Sequence, residues 1–176
     1  MADEDVFDRD RIVECLDRFG VQYLLVGGIG AQMHGATRPT RDFDSLPSTS
    51  KENLDRLAGA MRELNARLRV EGLSDDEART LPLPIDAESL RSMEISTWRT
   101  NAGDLDLLMA IPNRDGGRVP YEELVDRAER VQIGSVTVLV ASLPDIIASK
   151  EWADRPKDRE ALVELRQLAA RRPRSR

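Results

Sequence analysis

Residues 21 to 46, VQYLLVGGIGAQMHGATRPTRDFDSL, constrain the architecture more tightly than any other part of the chain. VQYLLV is a short β-branched and aromatic run that ends on Gly27 and Gly28, a glycine break at a strand end. IGAQMHG reads as a small helix closed by Gly35, Pro39 forces RPTR into a loop, and DFDSL reads as a strand of about five residues. Strand, glycine break, helix and second strand follow one another directly, so the chain mixes α and β structure from its first turns.

The remainder alternates in the same way. DRDRIVECLDRF places Ile12, Val13, Leu16 and Phe19 at helical spacing, with Asp8 or Asp10 as cap and Gly20 as stop. From Ser48 or Ser50, the stripe Leu54, Leu57, Ala58, Met61, Leu64 and Leu68 predicts one long helix to about Arg69. Residues 71–93 carry two prolines and mixed polarity, and read as loop plus a short helix. EISTWRT and DLDLLMAI flank a turn containing Asn and Gly, which predicts a hairpin with strands near 95–100 and 104–111. YEELVDRA reads as a helix, and VQIGSVTVLVA as a strand pair or bent strand around Gly134. Ser142 caps LPDIIASKEWAD with Pro144 in the first turn, and a last helix runs from about Lys157 to Ala170. The expected fold is α/β (α+β), a mixed central sheet flanked by helices. It forms one domain over residues 1–176, with C-terminal helices at 142–170 and a basic tail at 171–176.

Composition narrows the function classes. The apolar runs LDLLMAI and VTVLVA are strand-sized, far short of the roughly 20 residues that span a bilayer, so no membrane segment is expected. The acidic start MADEDVFDRD lacks the basic and apolar parts of a signal peptide, which points to the cytoplasm. Cys15 is the only cysteine, which excludes an internal disulfide and a thiolate zinc cluster and leaves a buried structural thiol. A sole histidine, His34, excludes a His-based metal site and reads as a packing or capping residue. A net charge of −6 argues against whole-surface attraction to nucleic acid. From Arg155 onward, however, eight Lys or Arg face only Asp158, Glu160 and Glu164, so this end either meets phosphates or is a solvated tail. Trp98 and Trp152 offer stacking surfaces for a base, with core packing as the plainer role for both.

Asp42 and Asp44 lie two apart on a strand, so their side chains share a face about 7 Å apart along it. Like charges so placed raise one another's pKa unless a cation lies between them, and Mg²⁺ accepts hard oxygen ligands, commonly in company with substrate phosphates. Gly27 and Gly28 lack side chains, which lets a phosphate approach the backbone at the start of the next helix. Asp104 and Asp106 share a face by the same period, and spacing alone does not choose between them as a third carboxylate.

Gly27, Gly28, Ala31, His34, Gly35, Arg38, Thr40, Asp42 and Asp44 stand in an order that resembles the nucleotidyltransferase superfamily sharing the fold of DNA polymerase β. Within it, the chain is most similar to the small AbiEii and MenT type nucleotidyltransferase toxins. AGDLDLLMAIP and SKEWADRPKDREAL extend the resemblance, which covers roughly residues 12 to 168. Ser45 and Pro47 stand where such proteins carry apolar residues, a departure that implies a shortened strand. The resemblance selects Asp106 over Asp104, which is then expected to be solvated. It implies that Asp42, Asp44 and Asp106 are catalytic and hold Mg²⁺ in a two-ion site, and that Asp106 accepts the acceptor hydroxyl proton. It places Gly27, Gly28, Thr40, Lys150, Arg155 and Asp158 at the nucleotide, with Arg155 and Asp158 binding it or supporting Lys150. It further implies an NTP as substrate, the tRNA 3′ end as acceptor and an antitoxin protein as partner. A lincosamide-like antibiotic or a protein hydroxyl is an alternative acceptor, and a noncatalytic nucleotide- or partner-binding role is a third reading. Acceptor choice is expected to lie in residues 71–93 and in the tail.

Overall fold

The computed structural model describes residues 7–81 and 83–172. Helix α1 (Arg9–Arg18) starts where the Asp8 carboxylate accepts the Arg11 N–H, and it buries Ile12, Val13, Cys15 and Leu16. Strand β1 (Tyr23–Leu25), helix α2 (Gly27–Met33) and strand β2 (Asp42–Pro47) follow. Helix α3 (Lys51–Glu63) is capped by the Ser50 hydroxyl and leads to β3 (Arg67–Leu68), α4 (Asp75–Arg79) and α5 (Ala87–Ser92). Strands β4 (Ile95–Thr100) and β5 (Gly103–Leu108) form a hairpin, and β6 (Ile111–Pro112) pairs with β7 (Arg118–Val119) in a separate small one. Helix α6 (Tyr121–Leu124) runs into a 3₁₀ turn, and β8 (Glu129–Ile133) and β9 (Val136–Val140) make a hairpin around Gly134 at φ 57°. Helices α7 (Leu143–Ala153) and α8 (Pro156–Arg171) close the chain.

Seven strands form one mixed sheet in the order β3-β4-β5-β2-β1-β9-β8. Strand β2 runs parallel to β5 and β1 parallel to β9, while the other neighbours are antiparallel. One face carries Tyr23 and Phe43, whose rings lie 6.2 Å apart, and Tyr23 feels the charge of Asp17 on α1. The opposite face carries the aspartates of β2 and β5 and meets α2, α7 and α8 around a common cavity. Cys15 is buried at 3% exposure, as expected of a structural thiol. No helix among the described residues is long and apolar enough to cross a membrane.

Several expectations need correction. Helix α3 stops at Glu63, and Leu68 belongs to a strand. Asn65 adopts φ 51° there, its N–H bonding the Arg62 carbonyl and the Ala66 N–H the Met61 carbonyl, a Schellman ending that an Asn at the left-handed position allows. Residues 71–93 hold two short helices where one was expected, the first opened by a Ser74–Glu77 capping box. Strand β5 ends at Leu108, because Ile111 and Pro112 turn away to pair with β7.

Ser45 and Pro47 do not shorten β2, which runs through both. Buried Ser45 donates its hydroxyl to the Asp106 carbonyl at 3.2 Å, so its polarity is satisfied. The Val26 N–H bonds the Asp44 carbonyl and the Ser48 N–H bonds the Gln22 carbonyl, which makes Tyr23 and Pro47 a non-hydrogen-bonded pair. The Pro47 nitrogen therefore faces the β5 side, beyond the last β2–β5 pair at Ser45, where no ladder donor is needed.

Candidate active site

Strands β2 and β5 are in register, with Asp42 opposite Asp104 and Asp44 opposite Asp106, so four carboxylates share one face of two adjacent parallel strands. Asp42, Asp44 and Asp106 line a cavity of about 410 Å³, together with Gly27, Gly28 and Thr40 from the α2 side and Lys150, Arg155 and Asp158 from α7 and α8. The structure thus brings all nine sequence-derived site residues to one place.

Asp104 points elsewhere. It accepts from Arg99 Nε and Arg69 Nη1, each at 2.7 Å, and its side chain is 18% exposed, so it is ion-paired where a solvated group was expected. Arg99 is its cross-strand partner in the hairpin, whereas Arg69, the residue after β3, comes from outside it.

Burial, followed by the negative charge of Asp106, pushes the Asp44 carboxyl up from 3.8 to about 7. Asp106 is also raised, first by burial, with Asp42 and Asp104 adding to it and a Thr97 side-chain hydrogen bond and Arg69 opposing. The glycine pair has an internal role in this crowding. Gly27 sits at φ +59°, and a Cβ there would come within 2.8 Å of the Asp44 Cβ and closer still to its carboxylate. A Cβ on Gly28 would lie 2.8 Å from the Thr40 hydroxyl, while the Gly28 N–H donates to Asp44 Oδ2 at 3.3 Å.

On the opposite wall, Asp158 is fully buried in the first turn of α8. It accepts from Arg155 Nε at 2.6 Å and lies 3.4 Å from Lys150 Nζ. Burial opposes its ionisation, but the Arg155 hydrogen bond and the charges of Lys150 and Arg155 outweigh it and hold the carboxyl below the usual range. Asp158 therefore fixes the Lys150 ammonium at the cavity wall, where the side chain is only 15% exposed.

Among the described residues, no three His, Cys, Asp or Glu side chains already converge to hold a metal ion. The donor set nevertheless fits a hard divalent cation. Asp106 Oδ1 is buried without a hydrogen-bond partner among the described residues, and Asp44 is restrained by one long N–H contact that a rotation releases with little loss.

Other residues fall outside the site. His34 is buried at the end of α2; with the proton on Nε2 it donates to the Ala141 carbonyl at 2.8 Å and accepts from Arg172 through Nδ1, a packing and capping role. Trp98 is in the core with its indole N–H on Ser96, whereas Trp152 is 55% exposed against Gly116, contrary to the expected burial. In the basic C-terminal segment, Arg155, Arg159, Arg166 and Arg172 pair with Asp158, Asp154, Glu151 and Glu129. Residues 173–176 of the expected tail lie outside the described residues. Arg41 and Lys157 at the cavity rim were missed, although both stand directly beside motif residues.

No protein-family model matches the chain, and no curated protein matches its sequence. Solved structures do resemble it. The lincosamide antibiotic adenylyltransferase LnuA, with lincomycin bound, superposes with a TM-score of 0.60 at 13% identity over 94% of this chain and 99% of that one. ANT(2″)-Ia in complex with adenylyl-2″-tobramycin gives a TM-score of 0.53 at 17% identity over 91% of each chain. The chain has the nucleotidyltransferase fold.

Proposed function

We propose that the protein transfers a nucleoside monophosphate from a nucleoside triphosphate to an acceptor hydroxyl. The observation that carries this reading is the meeting of Asp42, Asp44 and Asp106 with Lys150 across one cavity, on a fold shared with nucleotidyltransferases. Asp42, Asp44 and Asp106 would hold Mg²⁺, as one ion or two. When bound, Mg²⁺ supplies positive charge to the reacting phosphates and the departing pyrophosphate.

The chain's own residues do the rest. Lys150, held by Asp158, sets a point charge against the triphosphate, and Arg155 adds a second cation at the rim. Thr40 and the backbone at Gly27 and Gly28 border the phosphates. Asp106 takes the proton of the acceptor hydroxyl as its oxygen bonds to the α-phosphorus and the α–β bridging P–O bond breaks, releasing pyrophosphate.

The acceptor reading is the tRNA 3′ end, in a toxin partnered by an antitoxin protein. It is supported by the motif run from Gly27 to Asp44 and by Arg41 and Lys157 at the rim, which have no ion pair among the described residues. A hydroxylated antibiotic is the second reading, favoured by the full-length fold likeness to the lincosamide adenylyltransferase. Incubating the protein with Mg²⁺, each α-labelled nucleoside triphosphate, and either total tRNA or an antibiotic panel tests both. Asp42→Ala is expected to lower transfer by at least about a hundredfold. Label on RNA supports the first acceptor and label on an antibiotic the second. Absence of label with every acceptor would overturn the transfer reading.

A further inference from the structure

The sheet face that carries Asp106 continues past the cavity onto β4 and β3. Thr97 is opposite Asp106, Arg99 opposite Asp104, and Arg67 opposite Arg99, and cross-strand partners share a face. Arg69, two residues beyond Arg67, reaches the same face, because its Nη1 donates to Asp104 Oδ2 at 2.7 Å. Three guanidinium groups therefore stand outward from the carboxylates on the same face, Arg99 one strand from β5 and Arg67 and Arg69 two strands from it.

Two features make this row more than a set of solvated charges. Arg69 uses only Nη1 in a side-chain hydrogen bond among the described residues and is 48% exposed, which leaves part of its planar donor fork open. The Arg67 Nε is buried with no hydrogen-bond partner among the described residues, a donor the fold leaves unsatisfied. Asp104 fixes the row by bridging Arg69 and Arg99. The cations of the opposite wall, Lys150 and Arg155, already serve the donor side of the cavity.

We infer that Arg67 and Arg69, with Asp104 as the residue that positions Arg69, form an acceptor site for a phosphate carried next to the reactive hydroxyl. Guanidinium forks match phosphate oxygens in pairs, and the Arg69 fork, held on Asp104, stands about two residues along β5, roughly 7 Å, from Asp106. One sugar ring separates a nucleotide's 3′-hydroxyl from its own 5′-phosphate, which suits that spacing. The inference rests on the transfer reading, since Asp106 must be the acceptor end of the site. It also separates the two acceptors, because a cationic or neutral small molecule gains nothing from the row.

Binding is read without the reaction, by fluorescence anisotropy of a labelled single-stranded RNA oligonucleotide in the absence of nucleoside triphosphate. Arg69→Gln and Arg67→Gln are each expected to weaken binding about tenfold and to lower the log–log salt slope by about 0.7 per lost contact. Thermal melts check that each variant is folded, and Arg69→Lys, which keeps the charge but loses the fork, is expected to fall between. Transfer to adenosine 5′-monophosphate and to adenosine then distinguishes a single phosphate from a longer strand. Preference for the monophosphate over the nucleoside supports a local phosphate site, and preference for the oligonucleotide over both supports a strand end. Wild-type binding retained by the folded Gln variants would overturn the inference while leaving the transfer reading intact, as would an unmodified chain that binds RNA no better than the Gln variants do.

Discussion

Replacing Asp44 with Asn is expected to make the metal-free protein more stable at pH 8, the opposite of what most substitutions do. Asp44 stands opposite Asp106 on the neighbouring strand, and burial together with that charge raises its carboxyl from 3.8 to about 7. The folded chain then holds the proton more tightly than the unfolded chain. Stability is full below the unfolded value of 3.8 and is lost as pH rises towards about 7, where the folded carboxylate ionises against its neighbours. That interval spans roughly three pH steps of about 1.4 kcal/mol each, a ceiling of about 4 kcal/mol. Asp44 keeps some solvent access, which screens part of this, so a gain of about 1–3 kcal/mol is expected. Asn retains an oxygen for the Gly28 N–H, so the substitution removes the charge and little else.

The assay is urea unfolding followed by circular dichroism in EDTA, at pH 8 and at pH 4.5. The gain should be present at pH 8 and shrink to about 1 kcal/mol or less at pH 4.5, where the folded wild type is protonated at this position. Millimolar Mg²⁺ at pH 8 should narrow the gap, because a cation relieves the repulsion only where both carboxylates are present. A variant less stable than wild type at pH 8, or a gain that does not change with pH, would refute the idea that Asp44 is held in unfavourable company.

Two further outcomes follow from the same geometry. Asp158→Asn leaves the partly buried Lys150 and the more exposed Arg155 without their shared carboxylate and is expected to lose about 2–3 kcal/mol. Because the Asp158 carboxyl is held below the usual range, that loss is full above 3.8 and fades as pH falls through the lowered value; nucleotide KM should rise more than kcat falls, which steady-state kinetics would show. Gly27→Ala meets both the left-handed φ and the Asp44 side chain, and a loss of at least about 2 kcal/mol with loss of transfer is expected from thermal melts and the labelling assay.

The site was legible where its logic is local. Asp42 and Asp44 share a face by strand period, Gly27 and Gly28 end a strand, and Ser142 caps the helix that carries Lys150, all within short windows. What depends on distant partners was not. Asp104 looks like a turn-proximal carboxylate until the end of β3 brings Arg69 to it, beside its hairpin partner Arg99. Leu68 fits the α3 stripe, and only the left-handed Asn65 shows that the helix has already ended. Part of the positive charge of the C-terminal segment is paired within the fold, because Arg166 and Arg172 reach acids on α7 and β8.

The charge along the aspartate-bearing sheet face gives the candidate site a direction. Cations from α7 and α8 stand on one side of the Asp42, Asp44 and Asp106 cluster, and arginines from β3 and β4 stand on the other. A nucleoside triphosphate beside Lys150 and Arg155 has its α-phosphorus nearest the carboxylates only if its β- and γ-phosphates point towards those cations. In the proposed transfer the pyrophosphate would leave on the α7–α8 side, and the attacking oxygen would arrive from the β4 side, where Thr97 and Arg99 border Asp106 and Asp104. In-line displacement would thus give the two charged walls different partners. An acceptor that approached over the glycine pair would meet the entering nucleotide, whereas one that approached over the arginine row would find a sheet face still able to donate hydrogen bonds.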